Sequence, residues 1–398
     1  MRTQHTESLP LGWRIVRLGE VAEHCLGKML DAKKNKGTPF PYLRNPNVRW
    51  FKIDLSDLKE MPFEEHELDR YGLLDGDVVI CEGGEAGRAA IWSSIIPNVK
   101  FQKAIHRVRV GPGLLNRYLV YKLMADHQSG RLMDYFTGAT IKHLTGQDLD
   151  RYEFPLPPLP EQHRIADVLD RAEALRAKRR AALAELDGLA QSIFIEMFGP
   201  PTRIMSNWPT QSLGRFLKFL TSGSRGWAEY YSEMGDLFLR IQNVKRDELS
   251  LTEVAYVKPP DTAEANRTKV NSGDVLLSIT ADIGRTAVVP DTIEKAFISQ
   301  HLALLRTGGI SPRFLSAYLS SESGQEQIFK RNKQGVKAGL NFDDIRSFIV
   351  PLPPDTLQQE FVRRVAVVEK LKAVQRASLA ELDALFASLQ DRAFRGAL

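Results

Sequence analysis

The chain is poor in the residues and patterns that mark most function classes. Cys25 and Cys81 are its only cysteines, too few and too poorly matched to imply a disulfide framework. No stretch of about 18 apolar residues occurs, so no membrane span is expected. The segment from Met1 to Leu11 is polar and has no apolar signal core, and a cytoplasmic location is expected. His and Cys never fall at paired ligand spacing, so no metal is expected. The phosphate loop Gly-x-x-x-x-Gly-Lys-[Ser/Thr] is missing: Gly83-Gly84-Glu85-Ala86-Gly87-Arg88 lacks the Lys and reads as a turn. No serine sits in a nucleophile elbow. Pro290-Asp291-Thr292-Ile293-Glu294-Lys295 is like a nuclease run, but Glu294 and Lys295 are adjacent, without the intervening residue that brings both to one metal.

What is present is a soluble-protein composition, 43% apolar and 26% charged, long enough at 398 residues for two or more cores. The net charge of +5 favours an anionic partner, nucleic acid first. The dominant feature is a repeat. Pro155-Leu156-Pro157-Pro158 returns as Pro351-Leu352-Pro353-Pro354, and Leu183-Ala184-Glu185-Leu186-Asp187 as Leu379-Ala380-Glu381-Leu382-Asp383. Tyr42-Leu43-Arg44 and Asn47-Val48 match Phe238-Leu239-Arg240 and Asn243-Val244; Gly76-Asp77-Val78 matches Gly273-Asp274-Val275, and Gly87-Arg88 matches Gly284-Arg285. Gln102-Lys103 is set opposite Gln300-His301, and Arg117-Tyr118-Leu119 opposite Arg313-Phe314-Leu315. Similarity over the length of both halves indicates a duplicated module.

Each module opens with about 150 residues of short strands, turns and one clear helix. Strands are predicted over 78–80, 105–110, 275–279 and 303–305, and helices over 115–124 and 312–319, which gives a compact α+β domain. About 40 helical residues follow. Ile165, Leu169, Ala172, Leu183, Leu186, Ala190, Ile193 and Met197 form an apolar stripe that recurs as Phe361, Val365, Val368, Leu379, Leu382, Phe386, Leu389 and Ala393. Two such helices, each about 57 Å long, supply each other's partner stripe and are predicted to lie antiparallel. The Pro-rich runs 155–160 and 351–354 are predicted to stay outside the helices as stiff elbows, with Glu161 and Glu360 in the first turns. Gly199-Pro200-Pro201 ends the first helix. The divisions are 1–155, 156–199, 200–350 and 351–398.

This series of motifs, given twice, resembles the specificity subunit of a type I restriction-modification enzyme across essentially the whole chain. Pro-Leu-Pro-Pro-Leu-Pro-Glu-Gln (155–162), leading into a helix, is the most specific piece; the second copy reads Pro-Leu-Pro-Pro-Asp-Thr-Leu-Gln-Gln (351–359), taken as one residue longer. The resemblance implies two globular α+β target recognition domains joined by two long antiparallel α-helices, with pseudo-twofold symmetry. It implies that each domain reads one half of an asymmetric split site in double-stranded DNA. It also implies that the helix pair sets the spacing and docks two modification (methyltransferase) subunits. Restriction (motor-nuclease) subunits join for cleavage. The chain itself is then not an enzyme and holds no cofactor; S-adenosylmethionine belongs on the modification subunit. The [Asp/Asn]-Pro-Pro-aromatic motif of such methyltransferases is absent, with Lys258-Pro259-Pro260-Asp261 the nearest approach. A non-enzymatic scaffold built on the helix pair is the alternative.

Base edges are read by Arg, Lys, Asn and Gln, while Lys and Arg on phosphates supply affinity. At Gly-rich turns the DNA-contact candidates are Arg44, Asn45, Arg88, Gln102, Lys103, Lys142 and His143 in the first domain. In the second they are Arg240, Gln242, Arg285, Gln300, His301 and Lys337. Arg44 and Arg240 occur in both copies, and residues shared by domains that read different bases hold phosphate or the fold. On the helices Ile165, Leu169, Leu186, Phe361, Val365 and Leu382 are the partner-docking candidates. The mid-helix run Arg176, Lys178, Arg179 and Arg180 reads as an exposed, solvated face, with a charge patch facing the DNA spacer as the alternative.

Overall fold

The computed structural model describes residues 9–31, 33–138, 140, 142–331 and 339–398. They form two compact units, Met1–Arg180 with Ala377–Leu398, and Ala181–Arg376. Each long helix, Leu159–Phe198 and Asp355–Phe394, therefore gives one half to each unit.

In the first unit the four-stranded sheet runs Ala22–Leu26, Ile105–Val110, Val78–Cys81, Ala89–Ile91, all neighbours antiparallel. In the second the order is Leu217–Ser222, Leu302–Thr307, Val275–Ser278, Thr286–Val288. A second sheet in each unit pairs one strand in parallel, Leu43 opposite Phe101 and Leu239 opposite Ile298. The chain then closes on itself: Arg14–Arg17 pairs with Glu153–Leu156, and Thr210–Ser212 with Ile349–Pro351. The predicted strands and the helices Asn116–Gln128 and Pro312–Ser320 are all present. Strands Val78–Cys81 and Val275–Ser278 are buried along their whole length, which is why they read as apolar runs without alternation.

The repeated Gly-Asp-Val motif owes its aspartate to packing. Asp77, 2% exposed, takes the Arg109 guanidinium through both oxygens at 2.8 and 2.9 Å, and accepts the Leu74 amide at 2.8 Å. Asp274, 1% exposed, does the same with Arg306 at 2.8 and 2.7 Å and the Asn271 amide at 2.7 Å. Such bidentate pairs fix geometry as well as adding energy.

Within each unit the two helix halves run antiparallel. In the first, Arg164 reaches the Leu398 carbonyl at 3.2 Å and Arg176 reaches Asp383 at 2.6 Å. In the second, Asp187 meets Lys372 at 3.0 Å and Glu196 meets Arg364 at 3.3 Å. Ile165, Leu169 and Phe386 lie in the first core; Phe194, Phe198, Phe314 and Phe361 form a ring cluster in the second, with centroids 4.8 to 5.7 Å apart.

Two local expectations need correction. The run 155–160 is not wholly outside secondary structure: Pro155 and Leu156 end a strand, and Leu159 and Pro160 open the helix, because proline is tolerated in a first turn. The second copy has no extra residue either. Gln162 accepts the Leu115 amide at 2.7 Å and donates to the Pro157 carbonyl at 2.8 Å; Gln358 accepts the Ser311 amide at 2.9 Å and donates to the Pro353 carbonyl at 2.9 Å. With these as equivalents, Asp355, not Glu360, stands in the first turn. Gly199, at φ +99°, ends the first helix as expected.

Asp274→Ala should cost the second unit about 2–4 kcal/mol in denaturant unfolding, since it strands a half-buried guanidinium and a backbone amide. A loss under about 0.5 kcal/mol would mean that the pair does not hold the sheet.

Candidate nucleic-acid interface

In the first unit four backbone segments meet at the Gly83-Gly84 turn. The Glu82 amide donates to Ala104 at 2.9 Å and its carbonyl accepts from Leu144 at 2.7 Å. The Gln102 amide donates to Leu43 at 3.1 Å, beside the corner formed by Arg44–Asn47. Asn45 donates from its side chain to the Gly83 carbonyl at 2.6 Å. A Cβ on Gly83 would lie 3.1 Å from His143 Nδ1, so the glycine is what admits that ring. The fold thus gathers Asn45, Gln102, Lys103 and His143 around one turn, with Lys103 exposed and Gln102 and His143 half-buried. Lys142 is exposed beside His143.

Arg44 and Arg88 are engaged by partners within the unit. Arg44 binds Asp57, by its carboxylate at 2.6 Å and its carbonyl at 2.9 Å. Arg88, 8% exposed, pairs with Glu85 and donates to the Asn45 carbonyl at 3.0 Å. Their repeats behave alike: the Arg240 amide binds Asn243 at 2.9 Å as the Arg44 amide binds Asn47 at 2.8 Å, and Arg285 pairs with Asp282.

In the second unit a cavity of about 420 Å³ gathers Arg240, Gln242, Gln300 and His301 beside Trp227 and Tyr231. Arg285 lines a different cavity of about 1060 Å³, with Lys245, Arg246, Phe329 and Lys330. Lys337 lies outside the described residues. Trp227, Tyr231, Lys245 and Arg246 went unmarked because the candidates were basic and amide residues at Gly-rich turns, which leaves out aromatics and a basic pair with no glycine beside it.

The pairing of Gln102-Lys103 with Gln300-His301 slips by one residue. Gln102 donates to Leu43 and Ser299 donates to Leu239 at 2.9 Å; Ala104 and His301 accept the equivalent amides of Glu82 and Ile279. Gln102 is therefore the counterpart of Ser299, Lys103 of Gln300, and Ala104 of His301. The loops share a path and differ in every side chain.

On the helices Ile165, Leu169, Phe361 and Val365 are at most 1% exposed, within the chain's own cores, so no face of theirs is left for a partner. Leu186 and Leu382 are half-buried. Exposed apolar side chains on the helices include Val367, Leu371 and Val374, 61, 46 and 58% exposed, which stand one and two turns apart on one side of the second helix. Arg176 is tied to Glu173 and Asp383, and Arg180 to Glu173.

Burial pushes the Cys81 thiol up to about 11 and holds His106 down at about 4, where it serves the Leu144 carbonyl at 2.9 Å. Asp291 of the nuclease-like run binds Ser272, while Lys295 pairs with Asp236 at 2.7 Å. Among the described residues no group of three His, Cys, Asp or Glu is placed to hold a metal, and no helix is long and apolar enough to cross a membrane.

The family described as type I restriction modification DNA specificity domain matches residues 10–185 and 239–384. The chain is 24% identical over 361 residues to the EcoBI specificity subunit of Escherichia coli, covering 82% of this chain and 75% of that one. It is 23% identical over 426 residues to the EcoKI specificity subunit of Escherichia coli strain K12, covering 98% and 90%. The fold is shared with the type I restriction-modification S subunit of M. genitalium, at a TM-score of 0.58 and 16% identity over 99% of this chain and 98% of that one. A structure from work on complex assembly and conformational transition of the type I R-M system superposes at 0.56, with 23% identity over 98% and 100%.

Arg88→Ala should cost about 1–3 kcal/mol of stability, because it removes a buried cation from the Asn45 corner, whereas Lys103→Ala should stay within about 0.5 kcal/mol. Thermal unfolding of both variants checks this, and equal losses would contradict the division between frame and reading surface.

Proposed function

The chain belongs to the type I restriction-modification DNA specificity family, and on that premise we propose that it reads DNA for a modification and restriction complex without catalysing a reaction itself. Each recognition domain reads one half of a split, asymmetric site in double-stranded DNA. The helix pair docks two modification subunits, which bind S-adenosylmethionine and methylate; restriction subunits join for cleavage, in the cytoplasm. The divisions at 155/156, 199/200 and 350/351 mark the modules of this reading.

One observation carries the proposal. Two copies of one hydrogen-bonded frame present different side chains at the same loop positions, Gln102-Lys103-Ala104 against Ser299-Gln300-His301. A protein that must hold two unlike half-sites needs this combination of fixed path and variable contacts. The frame residues Arg44, Arg88, Arg240 and Arg285 act by shaping the corner. Gln102, Lys103, Lys142, His143, Gln242, Gln300 and His301 face the DNA, with Asn45 fixing the turn between them. For docking, Val367, Leu371 and Val374 offer an exposed apolar stripe at helical spacing; Ile165 and Leu169 hold their helix to the first core, and Phe361 and Val365 hold theirs to the second.

The test is co-expression with the modification subunit and duplex titration. The wild-type complex should bind duplex DNA with affinity that falls steeply with salt, about 0.9 in log–log slope per phosphate contact. Val367→Asp with Leu371→Asp should leave the chain folded and weaken capture of the modification subunit roughly tenfold or more. Intact assembly in that variant removes the stripe from the docking surface, and assembly without any duplex binding favours the scaffold.

A further inference from the structure

The cavity of about 420 Å³ in the second unit differs from everything at the same place in the first. Its floor holds Ser299, 7% exposed, whose Oγ has no hydrogen-bond partner among the described residues. Trp227 is seated against Phe238, ring centroids 5.6 Å apart and 20° from parallel, and Tyr231, 46% exposed, stands edge-on to the same Phe238 at 5.6 Å. The aromatic wall is thus braced from behind by the core.

Two amides stand at the mouth, and both are oriented. The Gln242 amide, turned so that its oxygen meets the guanidinium, accepts from both Arg240 Nη atoms at 2.9 and 3.2 Å. Gln300 Nε2 lies 3.4 Å from His301 Nε2, and His301 Nδ1 lies 2.6 Å from Thr280 Oγ1. In the tautomer with hydrogen on Nδ1, His301 donates to Thr280 Oγ1 and its bare Nε2 accepts from Gln300 Nε2.

Of the lining residues, Phe238 and Arg240 have counterparts in Tyr42 and Arg44 of the first unit, while the aromatic wall and the amides do not recur among its described residues. Lys28, in the place of Ser224 by its bridge to Gln102, sends its ammonium to the Pro62 carbonyl at 2.9 Å and to Glu67, over the Phe63 ring at 4.9 Å. Leu30 and Asp31 stand where the second unit has Trp227.

A pocket walled by aromatic rings and rimmed by oriented amides suits a planar heterocycle with donors and acceptors on its edge. A base within the stack presents only its edge to a groove, whereas a cavity of about 420 Å³ has room for a whole base. We infer that this pocket receives one nucleobase of the second half-site, turned out of the duplex, and reads it through Gln242 and Gln300 with Tyr231 against its face. The inference rests on the DNA-reading proposal and adds the place and manner of reading one position.

The test uses the full chain with its modification subunits, in a host whose adenine methylation is mapped genome-wide. For Gln300→Ala, and independently for Tyr231→Ala, the first half of the methylated motif should persist. One position of the second half should lose roughly 10- to 100-fold of its discrimination. An unchanged motif at unchanged occupancy in both variants overturns the inference while leaving the wild-type function intact. No split motif from the wild-type gene would fail the function itself. Duplexes of the mapped motif with 2-aminopurine at the relaxed position decide the manner. A several-fold rise in fluorescence with wild type, lost in Tyr231→Ala, shows an unstacked base; a flat signal overturns the turned-out geometry.

Discussion

One glutamine in each copy fastens a helix to the domain that precedes it. Gln162 is fully buried and binds three backbone groups: the Leu115 amide, the Gly113 carbonyl at 2.9 Å and the Pro157 carbonyl. Gln358 repeats the arrangement at Ser311 and Pro353. The proline elbow delivers the chain from the closing strand to the helix, and Pro158 and Pro354 accept the first helical amides at 2.9 to 3.1 Å. The side chain then ties that elbow to the loop opening the domain's own helix, so strand, elbow and both helices are set together. The aromatic core of the second unit and the Tyr118 and Tyr121 contacts to Phe394 and Phe386 in the first depend on that setting.

Most of the architecture was legible in the sequence because the chain states it twice. Gly-Asp-Val, Gly-Arg and Pro-Leu-Pro-Pro recur because each meets a backbone requirement the other copy shares. The reading surface was harder, since its residues differ between copies by necessity. Gln-Lys and Gln-His look alike on paper, and only the strand hydrogen bonds show the one-residue slip that sets Gln102 against Ser299. The helices misled in the opposite direction. Ile165, Leu169, Phe361 and Val365 have the right period for a docking stripe, but that same period serves the chain's own cores, and periodicity alone does not say which partner fills it.

The corners at Phe51 and Asp247 show how far the copies have diverged on one frame. Both adopt left-handed backbone, φ 60° and 62°, which is uncommon for residues other than glycine. Phe51 packs on Tyr121 at 4.6 Å, whereas Asp247 binds Arg313 at 2.7 Å and Ser316 at 2.5 Å, its carboxyl raised to about 6 by burial. An aromatic contact in one unit does the work of an ion pair in the other. Much of the basic charge is spent in the same manner, on Asp57, Glu85, Asp274 and Asp187, so the net charge of +5 says little about where DNA lies.

The central claim is that one frame carries two independent codes. A chain in which the first recognition domain also replaces the second tests it most directly, by mapping the adenine-methylated motif it produces with its modification subunits. Two copies of one code should give a symmetric motif, both halves equal to the first half of the wild-type site. An asymmetric motif that keeps the wild-type second half would contradict the account.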